Sequence, residues 1–168
     1  MRRLLPTFAA AVAALAAACV IEASATPERP SAGVRVTIFV SRGDPGRICT
    51  RVFPLSRTVR APAVLTGTMR ALLRGPTAAE RRRGYGGWFS QKTAGMLRSV
   101  RIANGVAHVD FRNFSRVIPN ASSSCGSALL LAQLDRTAKQ FPTVRRTVYS
   151  FDGSARAFYE WLQRSPPG

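Results

Sequence analysis

Side chains that handle protons and metals are scarce in this chain. Its 168 residues include one histidine, His108, and three cysteines, Cys19, Cys49 and Cys125. These are too few soft ligands for a structural zinc site, and a histidine-based triad would have to use His108. There is no C-x-x-C redox pair. The glycines follow no period and no a/d heptad runs through the sequence, which excludes collagen-like and coiled-coil chains. Acids are also few: 8 Asp plus Glu stand against 25 Lys plus Arg, for a net charge of +17. Lysine occurs only as Lys92 and Lys139, so nearly all of that charge is guanidinium. Such a surface attracts anionic polymers and membranes without specificity. Apolar residues make up 46% of the chain, enough for one domain with a real core.

Met1-Arg2-Arg3, a weakly apolar stretch from Leu4 to Ile21 and then Ala23-Ser24-Ala25 have the layout of a secretory signal peptide cleaved after Ala25. Eight alanines and Pro6 make the stretch a poor membrane anchor. The alternative is a lipoprotein signal at Cys19, although Ala16 stands where a large aliphatic residue belongs. Either route exports the chain and leaves Cys49 and Cys125, an even pair best read as one disulfide in an oxidising compartment.

Residues 26–33 read as a linker. Val34, Val36, Ile38 and Val40 alternate with Arg35, Thr37, Phe39 and Ser41, which is strand periodicity. Gly43-Asp44-Pro45-Gly46 is a turn, and a second strand from Thr50 to Val59 carries Pro54, a sign of an edge or a bulge. Leu65, Met69, Leu72 and Leu73 form one helical stripe, with Pro62 placed in its first turn and Gly75-Pro76 as its stop. Thr77-Ala78-Ala79-Glu80 is a capping box opening a short helix that ends at Gly84. After a loop from Tyr85 to Ala94, strands Leu97–Ile102 and Val106–Phe111 form a hairpin around Asn104-Gly105. A third helix is expected over 124–140, then a strand over 144–151 whose apolar faces predict a central position. Phe158, Trp161 and Leu162 predict a C-terminal helix. The order β-β-α-α-β-β-α-β-α defines an α+β domain, one small mixed sheet packed by two main helices.

Three ordered motifs carry a family resemblance. They are Leu72-Leu73-Arg74-Gly75-Pro76-Thr77-Ala78-Ala79-Glu80 with Gly84, the hairpin from Val100 to Phe111, and Thr137 to Val144 leading to Phe151-Asp152-Gly153. Together they resemble the GerMN domain of spore-germination and sporulation proteins and of LpqB-type lipoproteins. The likeness covers residues 34–153 and leaves 154–168 as a C-terminal helix and tail. It implies an exported or tethered envelope domain that binds a ligand or assembles with partners, without an established enzymatic activity.

Gly75, Pro76, Thr77, Glu80 and Gly84 are read as structural: a helix stop, a helix start and a turn. His108 and Asp110 share a strand face and, with Ser122, Ser123 or Ser124, could imitate a hydrolase triad, but no Gly-x-Ser-x-Gly elbow accompanies them. Asp110 and Asp152 are a sparse acid pair. Arg81-Arg82-Arg83 followed by Tyr85, Trp88 and Phe89 is the candidate contact surface, since arginine forks fit carboxylate and phosphate and aromatic faces stack. The plain alternative is a solvated helix end and a core tryptophan. The expectation is therefore a non-enzymatic envelope module with no cofactor or metal. It would bind an anionic wall component, a membrane surface or a protein partner, and not nucleic acid; a wall-acting hydrolase is the alternative.

Overall fold

The computed structural model describes residues 33–43, 48–118 and 121–167. The leader, most of the linker and most of the Gly43–Gly46 turn lie outside the described residues. Strands β1 (Gly33–Arg42) and β2 (Phe53–Arg60) are followed by helices α1 (Val64–Arg74) and α2 (Ala78–Arg82). A two-residue strand β3 (Tyr85–Gly86) and a 3₁₀ turn at Gln91–Thr93 lie within the segment expected to be loop. Then come β4 (Leu97–Ala103), β5 (Val106–Phe111), α3 (Ser124–Ala138), β6 (Arg146–Phe151) and α4 (Ala155–Trp161). The class is α+β, in the expected order with β3 added.

The strands divide into two three-stranded sheets, β2-β1-β3 and β4-β5-β6, where one small sheet was expected. The reason lies at the second edge of β1. There the Thr37 N–H donates to Gln140 Oε1 at 3.0 Å and the Phe39 N–H donates to Thr137 Oγ1 at 3.0 Å. Gln140 Nε2 in turn donates to the Thr37 carbonyl at 2.6 Å. Side chains at the end of α3 thus fill hydrogen-bonding positions that another strand would take.

In the second sheet β4 and β5 pair antiparallel, with Ile102 opposite Ala107, and β5 and β6 pair parallel, with Val109 opposite Tyr149. α3 is the crossover that a parallel pair requires. β5, not β6, is central. The aromatic content of β6 serves α4 instead: Phe151 meets Phe158 at 4.9 Å and Trp161 at 5.2 Å between ring centroids. The Tyr149 N–H at this edge donates to the Tyr159 hydroxyl at 3.4 Å.

α1 buries the expected stripe of Leu65, Met69, Leu72 and Leu73. Pro62 does not enter its first turn, because Ala63 is already the N-cap. β2 is an edge strand, as Pro54 predicts, and α3 stops at Ala138 with Lys139 as its C-cap. Cys49 and Cys125 are bonded, with Cα atoms 5.2 Å apart, tying the segment before β2 to the first turn of α3.

Candidate functional site

α2 begins with the capping box. The Glu80 N–H donates to the Thr77 hydroxyl at 3.2 Å, and the Glu80 carboxylate accepts the Thr77 N–H at 2.7 Å. The same carboxylate, 8% exposed, also accepts both fork nitrogens of Arg57 from β2, at 2.8 and 2.7 Å. The Arg57 fork, aided by the Thr77 amide, lowers the Glu80 pKa from 4.5 to about 2 against the upward push of burial. Arg57 is a partner that the sequence reading missed, since it lies 23 positions from Glu80.

Gly75 caps α1 at φ 68° and ψ −168°, a region essentially restricted to glycine. A Cβ there would overlap the Phe89 carbonyl, so the glycine lets the aromatic loop cross the end of α1. Gly84, at φ 85°, leads the chain from α2 into β3, and its carbonyl accepts the Gly43 N–H at 2.9 Å. β3 in turn lies against the end of β1, with Tyr85 opposite Arg42.

This turn brings two arginines to one ring. The Arg42 guanidinium lies 5.1 Å from the Tyr85 centroid and that of Arg83 lies 5.9 Å away. Arg81, Arg82 and Arg83 are exposed, and Arg81 donates to the Pro76 carbonyl. Trp88 is directed elsewhere. It packs against the core, its N–H donates to Gln133 Oε1 at 3.3 Å, and its buried indole N–H has no partner among the described residues. Phe89 is a core residue against Phe114. The structure therefore gathers Arg83 and Tyr85 with Arg42, which the sequence reading did not include, and leaves Trp88 against α3.

No described carboxylate forms an ion pair with this surface. Among the described residues Glu80 pairs with Arg57, Asp110 and Asp152 with Arg98, Asp135 with Lys139, and Glu160 with Arg156. None of these pairs involves Arg42, Arg81, Arg82 or Arg83. A guanidinium lying over a ring keeps its fork edge available to an anion.

The Asp110–Asp152 pair is a clasp. Asp110 Oδ1 accepts the Ser150 hydroxyl at 2.6 Å and the Gly153 N–H at 2.8 Å, while Arg98 lies 3.4 Å from Asp110 and 3.1 Å from Asp152. His108 sits opposite Arg101 and Val148, with no hydrogen bond to Asp110 among the described residues. Ser123 caps α3 through the Gly126 N–H. The described residues contain no cluster of three or more metal-ligating side chains.

A second polar centre was not read from the sequence. Asp135 Oδ1 accepts the Thr147 hydroxyl at 2.7 Å and the Tyr149 phenol at 2.8 Å, and Lys139 Nζ lies 3.0 Å from Oδ2. Tyr149 is 1% exposed, and burial, then the Asp135 charge, raise its pKa well above the usual value, so it remains a donor. These groups line a pocket of about 270 Å³ with Leu131 and Tyr159. Its sequence signals are an i,i+4 acid–base pair on a helix and an i,i+2 hydroxyl pair on a strand, too common to single out.

The fold and this surface define a small α+β module with a basic face that no described carboxylate pairs with. Residues 37–156 match the family model "Germane: Sporulation and spore germination", and the chain belongs to that family. It is similar to the first GerMN domain of the sporulation protein GerM from Bacillus subtilis, at 16% identity and a TM-score of 0.47, covering 72% of this chain and 84% of that one. The tandem GerMN domains of the same protein match at 15% identity and a TM-score of 0.46, over 73% of this chain and 40% of that one. No curated protein matches the chain.

Proposed function

We propose that this Germane-family chain is an exported, non-enzymatic module of the cell envelope that binds an anionic wall component through Arg42, Arg81, Arg82, Arg83 and Tyr85. One observation carries the reading: Arg42 and Arg83 converge on the Tyr85 ring while every described carboxylate is engaged elsewhere. Two forks held against one ring lose little freedom when a carboxylate or phosphate arrives. In this reading residues 1–25 are the export signal, 26–33 a linker, 34–153 the binding domain and 154–168 its terminal helix and tail. Attachment at Cys19 is the alternative route. No cofactor enters the reading.

The triple variant R81Q/R82Q/R83Q tests it by cosedimentation with purified cell wall. Binding at low salt is expected to fall about tenfold, the equivalent of about 1.4 kcal/mol, with the melting temperature nearly unchanged because exposed charges contribute little to stability. Unchanged binding would overturn the assignment of the site. Release of soluble wall fragments by the parent protein would overturn the non-enzymatic reading.

A further inference from the structure

A second cationic surface lies where β2 meets α1. Arg60, Arg70 and Arg74, all exposed, line a cup of about 460 Å³ with Pro62, Ala63 and Gly67. No carboxylate lines it, and none of the three arginines joins an ion pair among the described residues. Arg70 and Arg74 are one turn apart on the side of α1 opposite its buried stripe.

Pro62 and Ala63 also form the wall of a neighbouring groove of about 350 Å³, whose lining includes Leu65, Val100, Ile102 and Phe141 along with Thr66 and Thr143. Ile102, on β4, is 42% exposed and is one of only two large hydrophobic side chains left so open among the described residues. An exposed apolar side chain beside a cationic cup fits a surface that is anionic outside and apolar just beneath.

We infer that the face formed by Arg60, Arg70, Arg74 and Ile102 docks on an anionic lipid bilayer. The arginines meet headgroup phosphates and Ile102 enters the headgroup–acyl boundary. Each arginine near an anionic surface adds to the attraction, and one apolar side chain adds a part that salt does not screen. The inference rests on the envelope reading above but uses none of Arg81, Arg82 or Arg83, so one face meets lipid while the other stays available to the wall.

The experiment uses the chain from Thr26 onward, which retains every described residue, and vesicles of phosphatidylglycerol and phosphatidylcholine. R60Q/R70Q/R74Q is expected to weaken vesicle binding about tenfold or more, and R81Q/R82Q/R83Q by less than about twofold. I102S is expected to lose a few-fold, and the loss should persist at about 0.5 M salt. Melting temperatures of all variants, whose altered side chains are exposed, check that the fold is kept. Vesicle binding that is equal in R60Q/R70Q/R74Q and the parent, or that depends on Arg81–Arg83 instead, would overturn the inference. Wall binding through Arg81–Arg83 with no vesicle binding by the parent would overturn it too, while leaving the wall reading in place.

Discussion

One carboxylate, Glu80, closes the start of α2 and holds Arg57 of β2, so its ionisation is linked to folding. Its pKa is about 2 in the fold against an ordinary 4.5. A depressed carboxyl contributes stability that is complete above the unfolded value and is lost as pH falls toward the folded one. The window therefore runs from about pH 4.5 down to about pH 2. Glu80→Gln keeps a side chain able to accept one hydrogen bond but leaves Arg57 without its counter-charge. It should cost about 2 kcal/mol at pH 7. Urea unfolding at pH 7, 4 and 2.5 checks this: the gap between parent and variant should shrink as the pH falls. A gap of constant size would mean that the pair does not carry the linkage. The Thr77–Glu80 half of this network is legible in the sequence because a capping box is local, four residues long and stereotyped. The Arg57 half is not, because only the folded chain, which brings β2 within reach of Glu80, selects one arginine from 23.

At the scale of elements, two motif glycines that look alike in the sequence should behave differently. Gly75 combines positive φ with close approach of the Phe89 backbone, whereas the nearest atom to a Cβ on Gly84 is Arg42 Cγ at 4.0 Å. Gly84→Ala should therefore cost only the left-handed penalty, about 1–2 kcal/mol, and Gly75→Ala about 3 kcal/mol or more. Chemical denaturation of both variants tests the order, and equal losses would refute it. The same contrast separates what could be read in advance. The Asn104–Gly105 hairpin was legible because both residues adopt positive φ, at 52° and 79°, and a two-residue turn demands that of its own sequence. The division into two sheets was not. It depends on Thr137 and Gln140 reaching across about a hundred positions to the β1 edge, and hydrophobic periodicity does not record which strands are neighbours. The central position expected for β6 failed for a related reason: apolar residues on both faces signal covering, and here α4 supplies it in place of a strand.

For the whole molecule, the Cys49–Cys125 bond joins residues 76 positions apart and so restrains much of the unfolded chain. Chain-entropy reasoning gives about 4–5 kcal/mol for a loop of that size. C49S/C125S should lose most of that in urea unfolding, and reductant should destabilise the parent by a similar amount while leaving the variant unaffected. A parent protein indifferent to reductant would show that the bond contributes nothing to stability. The pairing could be read from the sequence because only two cysteines remain after the expected leader is removed, and two cysteines allow only one connectivity. The candidate surface was legible only in part. Arg81–Arg83 and Tyr85 stand together in the sequence, but Arg42 joins them only through the pairing of β3 with β1.

β2 is an open edge of its sheet, and its inward side carries Arg57 between Leu55 and Val59 where regular alternation would place another aliphatic residue. An unprotected edge of this kind is a template on which other chains polymerise. A molecule trying to extend the sheet would find Pro54, with no N–H to offer, and an arginine already committed inward to Glu80. A proline and an inward-pointing charge are two of the devices by which sheet edges resist such extension, so the residue that pairs with the start of α2 has a second consequence at the edge of the sheet.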